Sequence, residues 1–425
     1  MISYFLRFWQ KWGKKAGFSV MDQGIFSGAN FFLNIFLIRS LIPSEYGIFA
    51  ISFSIFLFIS GFHQALVLEP ISVIGASHHK DKLGTYLGAT MWIHGYLTLI
   101  FASIILLIAI IMRLNECVFS GAFFGLSIAT PLILFFWLFQ RICYLKLRPD
   151  LSLKGSLLYA FLLFSGIIVS NAKSWISPFN ALFIMGFASG GVIVVFWNFM
   201  SVKAIDLSWN KIKFVIRDVL RDNWRYGKWV IGSAFTNWIS LLIYVPLIGI
   251  FAGTDKAGVF KAMQDLFLPL QKVLIALSFL FLPWVSKQFV IQGKNYLKKN
   301  IYKFIAVSVL LSGIYVIAII SFKGIIVKFL YGSGYYTSFL WLLPWLGIAV
   351  IIRSMNYGVI MGLKALKCSN AVFFGQAAAV VVTLTLGLYL VKNLKLYGAA
   401  VSSFLAIFVI IIVGLYFLEK RLKHI

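Results

Sequence analysis

The chain has 425 residues, 61% hydrophobic and only 12% charged, with a mean hydropathy of +0.95 and a formal net charge of +26. A soluble globular chain carries about twice that share of charge, so lipid is the solvent for most of this one, and its long apolar runs exclude the alternating strands of a barrel. The excess of Lys and Arg would suggest nucleic acid in a soluble protein, but here it reads as membrane topology and no nucleic-acid partner is expected.

The N-terminal MISYFLRFWQKWGKKAG is basic and aromatic without a cleavable apolar core, and reads as a cytoplasmic lead-in. After it come about twelve runs long enough to span a bilayer, near 18–38, 46–68, 84–111, 119–142, 153–170, 177–200, 228–251, 257–285, 303–322, 337–361, 368–391 and 396–418. Placing successive loops on alternate sides puts 27 Lys and Arg on one side and 8 on the other, which predicts that both termini are cytoplasmic. The fold class expected is therefore all-α integral membrane, in two six-helix lobes: 1–200, a connector at 201–227, and 228–425. Within the connector Trp209, Ile212, Val215, Ile216, Val219 and Leu220 recur near helical spacing among basic residues, predicting an amphipathic helix on the inner leaflet.

The halves share a pattern. Glu45-Tyr-Gly-Ile-Phe opens the second span and Lys256-Ala-Gly-Val-Phe the eighth, and the preceding spans each carry a narrow polar face, Gln23, Ser27, Asn30 and Asn34 in one and Ser233, Thr236, Asn237 and Ser240 in the other. An internal repeat of this kind is a common plan for secondary transporters.

Ionisable groups at bilayer depth are costly and point to a pathway. On a continuous eighth span, Lys261, Gln264, Asp265, Gln271 and Lys272 fall within an arc of about 120°. Counting from Lys256, Asp265 lies about 14 Å deep and Lys272 about 24 Å deep. Asp265 can pair with Lys261 or titrate, while Lys272 and Arg353, at a similar depth with Asn356 three residues on, suit a phosphate or pyrophosphate. Asn30, Asn34 and Asn237 offer amides to a hydroxyl-rich ligand, and the Asn30 and Asn34 face serves equally for hydrogen bonds between helices. Asp22 reads as a headgroup-level cap, Glu69 before Pro70 as structural, and His63 and His94 as separate hydrogen-bonded residues. Pro131, Pro246, Pro269 and Pro344 interrupt spans and are expected to kink them.

There is no GxxxxGK[ST] loop and no HExxH, the Gly-Ser-Gly at 332–334 lacks a Rossmann context, and Cys117, Cys143 and Cys368 have no metal-site spacing. No catalytic residue, metal or cofactor is expected. The longest outward connection, about 14 residues around Phe322 to Tyr335, leaves little for the extracytoplasmic catalytic segment that a sugar polymerase or ligase needs.

Asp22-Gln-Gly-Ile-Phe-Ser-Gly-Ala-Asn-Phe-Phe, Leu41-Ile-Pro-Ser-Glu-Tyr-Gly-Ile-Phe-Ala and, near the end, Leu396-Tyr-Gly-Ala-Ala-Val-Ser resemble segments of the polysaccharide transporter family. These are the Wzx-type O-antigen flippases of the multidrug, oligosaccharidyl-lipid and polysaccharide exporter superfamily. The resemblance implies two six-helix lobes around a cationic cavity in the bacterial inner membrane. It implies a cargo of undecaprenyl-pyrophosphate-linked oligosaccharide moved to the periplasmic leaflet, coupling to an H+ or Na+ gradient, and membrane lipids and polysaccharide polymerase machinery as partners. A multidrug cation antiporter of the same superfamily is the alternative, and it predicts embedded acids outnumbering embedded bases. Three embedded bases, Lys261, Lys272 and Arg353, against one deep acid, Asp265, favour an anionic cargo.

Overall fold

The computed structural model describes residues 2–75, 83–200, 209–332, 334–366 and 368–424. Among them every regular element is helical. In chain order these are α1 (Ile2–Ser40), α2 (Pro43–His63) with π-helical continuations at Gln64–Leu68 and Ile71–Gly75, α3 (Leu83–Leu114), α4 (Ser120–Leu145), α5 (Pro149–Ala172), α6 (Pro178–Met200), α7 (Trp209–Leu241), α8 (Tyr244–Ala252) and α9 (Thr254–Asp265). Then follow α10 (Leu268–Ser321), α11 (Lys323–Tyr331), α12 (Gly334–Thr337), α13 (Leu342–Ala365), α14 (Ser369–Val382), a π-helical turn at Thr383–Gly387 and α15 (Leu388–His424). Among the described residues eight helices are long and apolar enough to cross a membrane, or nine if bent α7 and α8 make one span. The chain is a multi-pass membrane protein. α3 shows why: Leu99, Ile100, Ile104, Leu107 and Ile111 are all exposed, a face that only lipid tolerates.

Two of the long helices are jointed. α10, 54 residues long, turns at Gly293 with φ 74°, and α15, 37 residues long, turns at Lys395 with φ 51°. Three of the four prolines expected to kink spans instead start new helices. Pro246, Pro269 and Pro344 sit in the first turns of α8, α10 and α13, where a missing N–H costs nothing, and the preceding residues leave the helix. Of these four, Pro131 lies inside a helix. Pro70 likewise has no N–H for the Leu66 carbonyl, and the Asn223 amide of α7 donates to that carbonyl at 2.9 Å.

The chain forms two compact units: unit 1 is Met1–Leu41 with Ser52–Ala234, and unit 2 is Ile42–Ile51 with Phe235–Ile425. The start of α2 thus groups with the second half, and the division falls inside α7, not in the 201–227 connector. In unit 1, α4 packs along α6 and α3, and α1 along α5. In unit 2, α13 runs antiparallel to the second half of α10, where Gly347, Gly358 and Gly362 admit Val316, Ile305 and Ile301.

Residues 201–208 of the connector, and the side chains of Trp209 and Ile212, lie outside the described residues. The rest corrects the expectation of an interfacial helix: Val215, Ile216 and Val219 pack against Val67, Leu68, Tyr86 and Leu87 of unit 1. Among the described residues of this stripe Val219 is buried, Val215 and Ile216 are half-buried, and Leu220 is exposed. Most of the expected loop at Phe322 to Tyr335 is the helix α11, Lys323–Tyr331, with Val327 and Tyr331 buried.

Candidate functional site

Unit 1 contains a buried polar cluster that the sequence places elsewhere. Asp22, read there as a headgroup-level cap, is fully buried and accepts hydrogen bonds from Tyr144, from Ser152 at 2.7 Å and from Ser156. Gln140 adds its amide to Ser156 at 3.1 Å. The α1–α5 packing puts Ser152 and Ser156, one turn apart, beside Asp22. No cation pairs with this carboxylate among the described residues.

One to three turns along α1, the side-chain amide of Asn30 donates to the Phe26 carbonyl at 2.8 Å and its oxygen accepts from Tyr159 at 3.2 Å. Asn34 donates to the Asn30 carbonyl at 2.8 Å. Asn30 therefore links α1 to α5, the interhelical bond that its polar face allows.

His63 and His94, expected as separate residues, meet: Nε2 of one lies 2.9 Å from Nδ1 of the other, both rings are buried, and His94 stacks on Phe135. His63 Nδ1 has no partner among the described residues. Glu69 accepts from Tyr226 at 3.3 Å, as a structural role requires.

In unit 2 the projected polar stripe is divided. Pro269 cannot donate to the Asp265 carbonyl, the helix ends there, and Leu266 and Phe267 separate Lys261, Gln264 and Asp265 on α9 from Gln271 and Lys272 on α10. The five do not share one continuous helix face. Lys261 donates to the Asp265 carboxylate one turn on, and Asp265 is only 3% exposed, its other oxygen lacking a partner among the described residues. Fully buried Tyr46 and Tyr331 lie near this carboxylate, and the Tyr331 hydroxyl donates to the Ala262 carbonyl at 2.7 Å. Lys272 is exposed, and Arg353 and Asn356 on α13 are half-buried. Neither Lys272 nor Arg353 is paired with a carboxylate among the described residues; Arg353 contacts the Tyr357 hydroxyl. On α7, Thr236 donates to the Gln376 side chain at 3.2 Å, whereas Asn237 is exposed.

At the start of α9, Tyr335 donates to Asp255 at 2.6 Å, and Lys256 lies 3.1 Å from Asp255 and 3.3 Å from the Tyr335 oxygen. Burial pushes the Asp255 carboxyl up, but the bonds from Tyr335 and Lys256 outweigh it and hold the group below the usual carboxylate range.

Helix order, membrane-length segments and embedded ionisable groups together define a polytopic helical membrane protein of two units. Solved structures share this fold over 96% of the chain. One is an inward-facing multidrug resistance MATE family transporter of the MOP superfamily, with a TM-score of 0.78, 12% identity and 98% of that chain covered. An outward-facing transporter of the same family matches with a TM-score of 0.63, 14% identity and 94% coverage. A MOP superfamily transporter from Pyrococcus furiosus, described as having a binding pocket of reverse polarity that suggests a different function, matches at 0.63, 13% and 94%. No protein-family model and no curated sequence matches the chain.

Proposed function

We propose that the chain is a transporter of the bacterial inner membrane that moves an undecaprenyl-pyrophosphate-linked oligosaccharide repeat unit from the cytoplasmic to the periplasmic leaflet for surface-polysaccharide synthesis. The observation that carries this reading is the pair Lys272 and Arg353, two cations in apolar helical segments with no carboxylate partner among the described residues. A lone cation at membrane depth is unfavourable unless it meets water or an anion, and a pyrophosphate supplies that anion. Alternating access between two states would carry the headgroup across while the lipid tail stays in the bilayer. The exported unit then passes to polymerase machinery. An H+ or Na+ gradient drives the cycle, with Asp265 as the embedded group that carries the ion. Complementation of a flippase-deficient bacterium tests the reading: surface polymer returns with the wild-type chain and not with Lys272→Ala or Arg353→Ala.

A second reading, a multidrug or ion antiporter, is favoured by Asp22. Burying this acid raises the embedded acids from one to two and provides an anionic site without a fixed counter-ion. Proteoliposomes separate the readings: efflux of a cationic dye that Asp22→Asn abolishes supports the antiporter.

A further inference from the structure

Unit 1 contains a half-open cavity of about 220 Å³ between α1, the π-helical continuation of α2 and α4. At about 30 Å³ per water this is the space of about seven waters, which one pyranose ring with its hydroxyls displaces. Three amides line it, Gln23 from α1, Gln64 from the π-helical turn and Gln140 from α4; Gln140 donates to Ser156, and the exposed Gln64 amide can both donate and accept. Phe26 and Trp137 supply apolar faces beside them, and Phe56 holds the Trp137 ring edge-on at 5.7 Å. The Trp137 indole N–H is buried and has no partner among the described residues. A buried donor without an acceptor is rare in native proteins and marks a place where a ligand or water completes the bond. Gln64 opens a π-helical turn, a distortion that concentrates at functional sites, and its side chain is exposed.

Arg141 is the charged residue of this lining. Arg141 on the cavity wall donates to Ser72 at 3.2 Å and feels Glu69, and Asp22 lies behind Tyr144. Apart from Arg141 the lining is amides, a phenol and apolar faces, which suits a hydroxyl-rich ring.

We propose that this cavity is a carbohydrate subsite. It takes one sugar ring of the cargo, with the amides paired to hydroxyls, the aromatic faces against the C–H side and the indole N–H donating to a sugar oxygen. The identity of the cargo rests on the glycan-lipid reading above, but the binding itself is measurable without transport. The full chain in lipid nanodiscs is titrated with free glucose, galactose, N-acetylglucosamine and rhamnose, one at a time, by saturation-transfer NMR. At least one sugar gives a saturable signal, and Trp137→Phe, which keeps the ring, and Gln64→Leu, at an exposed position, each weaken it about ten-fold. Variants with wild-type elution profiles that bind as wild type does, or four sugars without saturable signal, overturn the subsite. Polymer restored by a chain that binds no sugar sinks the subsite and leaves the flippase reading; sugar binding lost in both variants, without polymer from any matched pathway, supports the subsite and sinks that reading.

Discussion

Gly47 and Gly258, the matched glycines of Glu45-Tyr-Gly-Ile-Phe and Lys256-Ala-Gly-Val-Phe, pack backbone to backbone within unit 2. A Cβ on Gly258 would stand 3.0 Å from the Gly47 nitrogen and 3.2 Å from its Cα, and one on Gly47 would meet the Thr254 carbonyl oxygen at 1.7 Å. The motif that the sequence shows as a repeat is thus one contact, made by the two copies on each other.

Alanine in place of a helical glycine ordinarily stabilises by about 1 kcal/mol, and here the sign reverses. Gly258→Ala costs about 1–3 kcal/mol by overpacking, and Gly47→Ala, opposed by rigid backbone, costs more. Thermal unfolding of the detergent-solubilised chain reads both; a Gly47→Ala protein as stable as wild type contradicts the contact.

Removing the Asp22 carboxylate leaves three hydroxyls without their acceptor. Ser152→Ala lowers stability by about 1 kcal/mol, and Asp22→Ala lowers it by more than any single hydroxyl deletion. The series is measured by thermal unfolding in one detergent, and equal effects for Asp22→Ala and Ser152→Ala refute a shared acceptor.

His63 and His94 satisfy one another, so their losses are not additive. His94→Phe orphans His63 and costs about 1–3 kcal/mol, and adding His63→Leu recovers part of that loss. A double-mutant cycle with zero coupling energy would show that the rings do not act as a pair.

The Asp255 group has a calculable sign. Its carboxyl is held below its unfolded value by Tyr335 and Lys256, so its stabilisation is present above about pH 4 and is lost as pH falls through the lower folded value. Asp255→Asn lowers the melting temperature at pH 7 and flattens the acid-side decline. An unchanged acid limb removes Asp255 from the linkage.

Much of the fold is readable from one sequence because lipid enforces long apolar helices: α3, α4, α5 and α6 begin and end within a few residues of the predicted spans. The prolines marked interruptions, but composition does not say whether a proline bends a helix or begins the next, so the break at Leu266 and Phe267 and the split of the Lys261 to Lys272 stripe escaped projection. The site in unit 1 was hidden for another reason. Asp22 meets Tyr144, Ser152 and Ser156, more than 120 residues away, and His63 meets His94 across two helices. Periodicity reports which face a residue occupies, not which helix lies opposite. The connector's apolar stripe looked the same whether it met headgroups or, as it does, Val67 and Leu87.

The central claim is that unpaired cations at membrane depth receive an anionic cargo headgroup. Surface polymer in a flippase-deficient bacterium, at matched membrane levels of the chain, tests it most directly. The account predicts that Lys272→Ala and Arg353→Ala each cut polymer about ten-fold or more, as loss of a charge-assisted bond to phosphate requires, and that Arg353→Lys restores part of it. Full polymer from both alanine variants would contradict it.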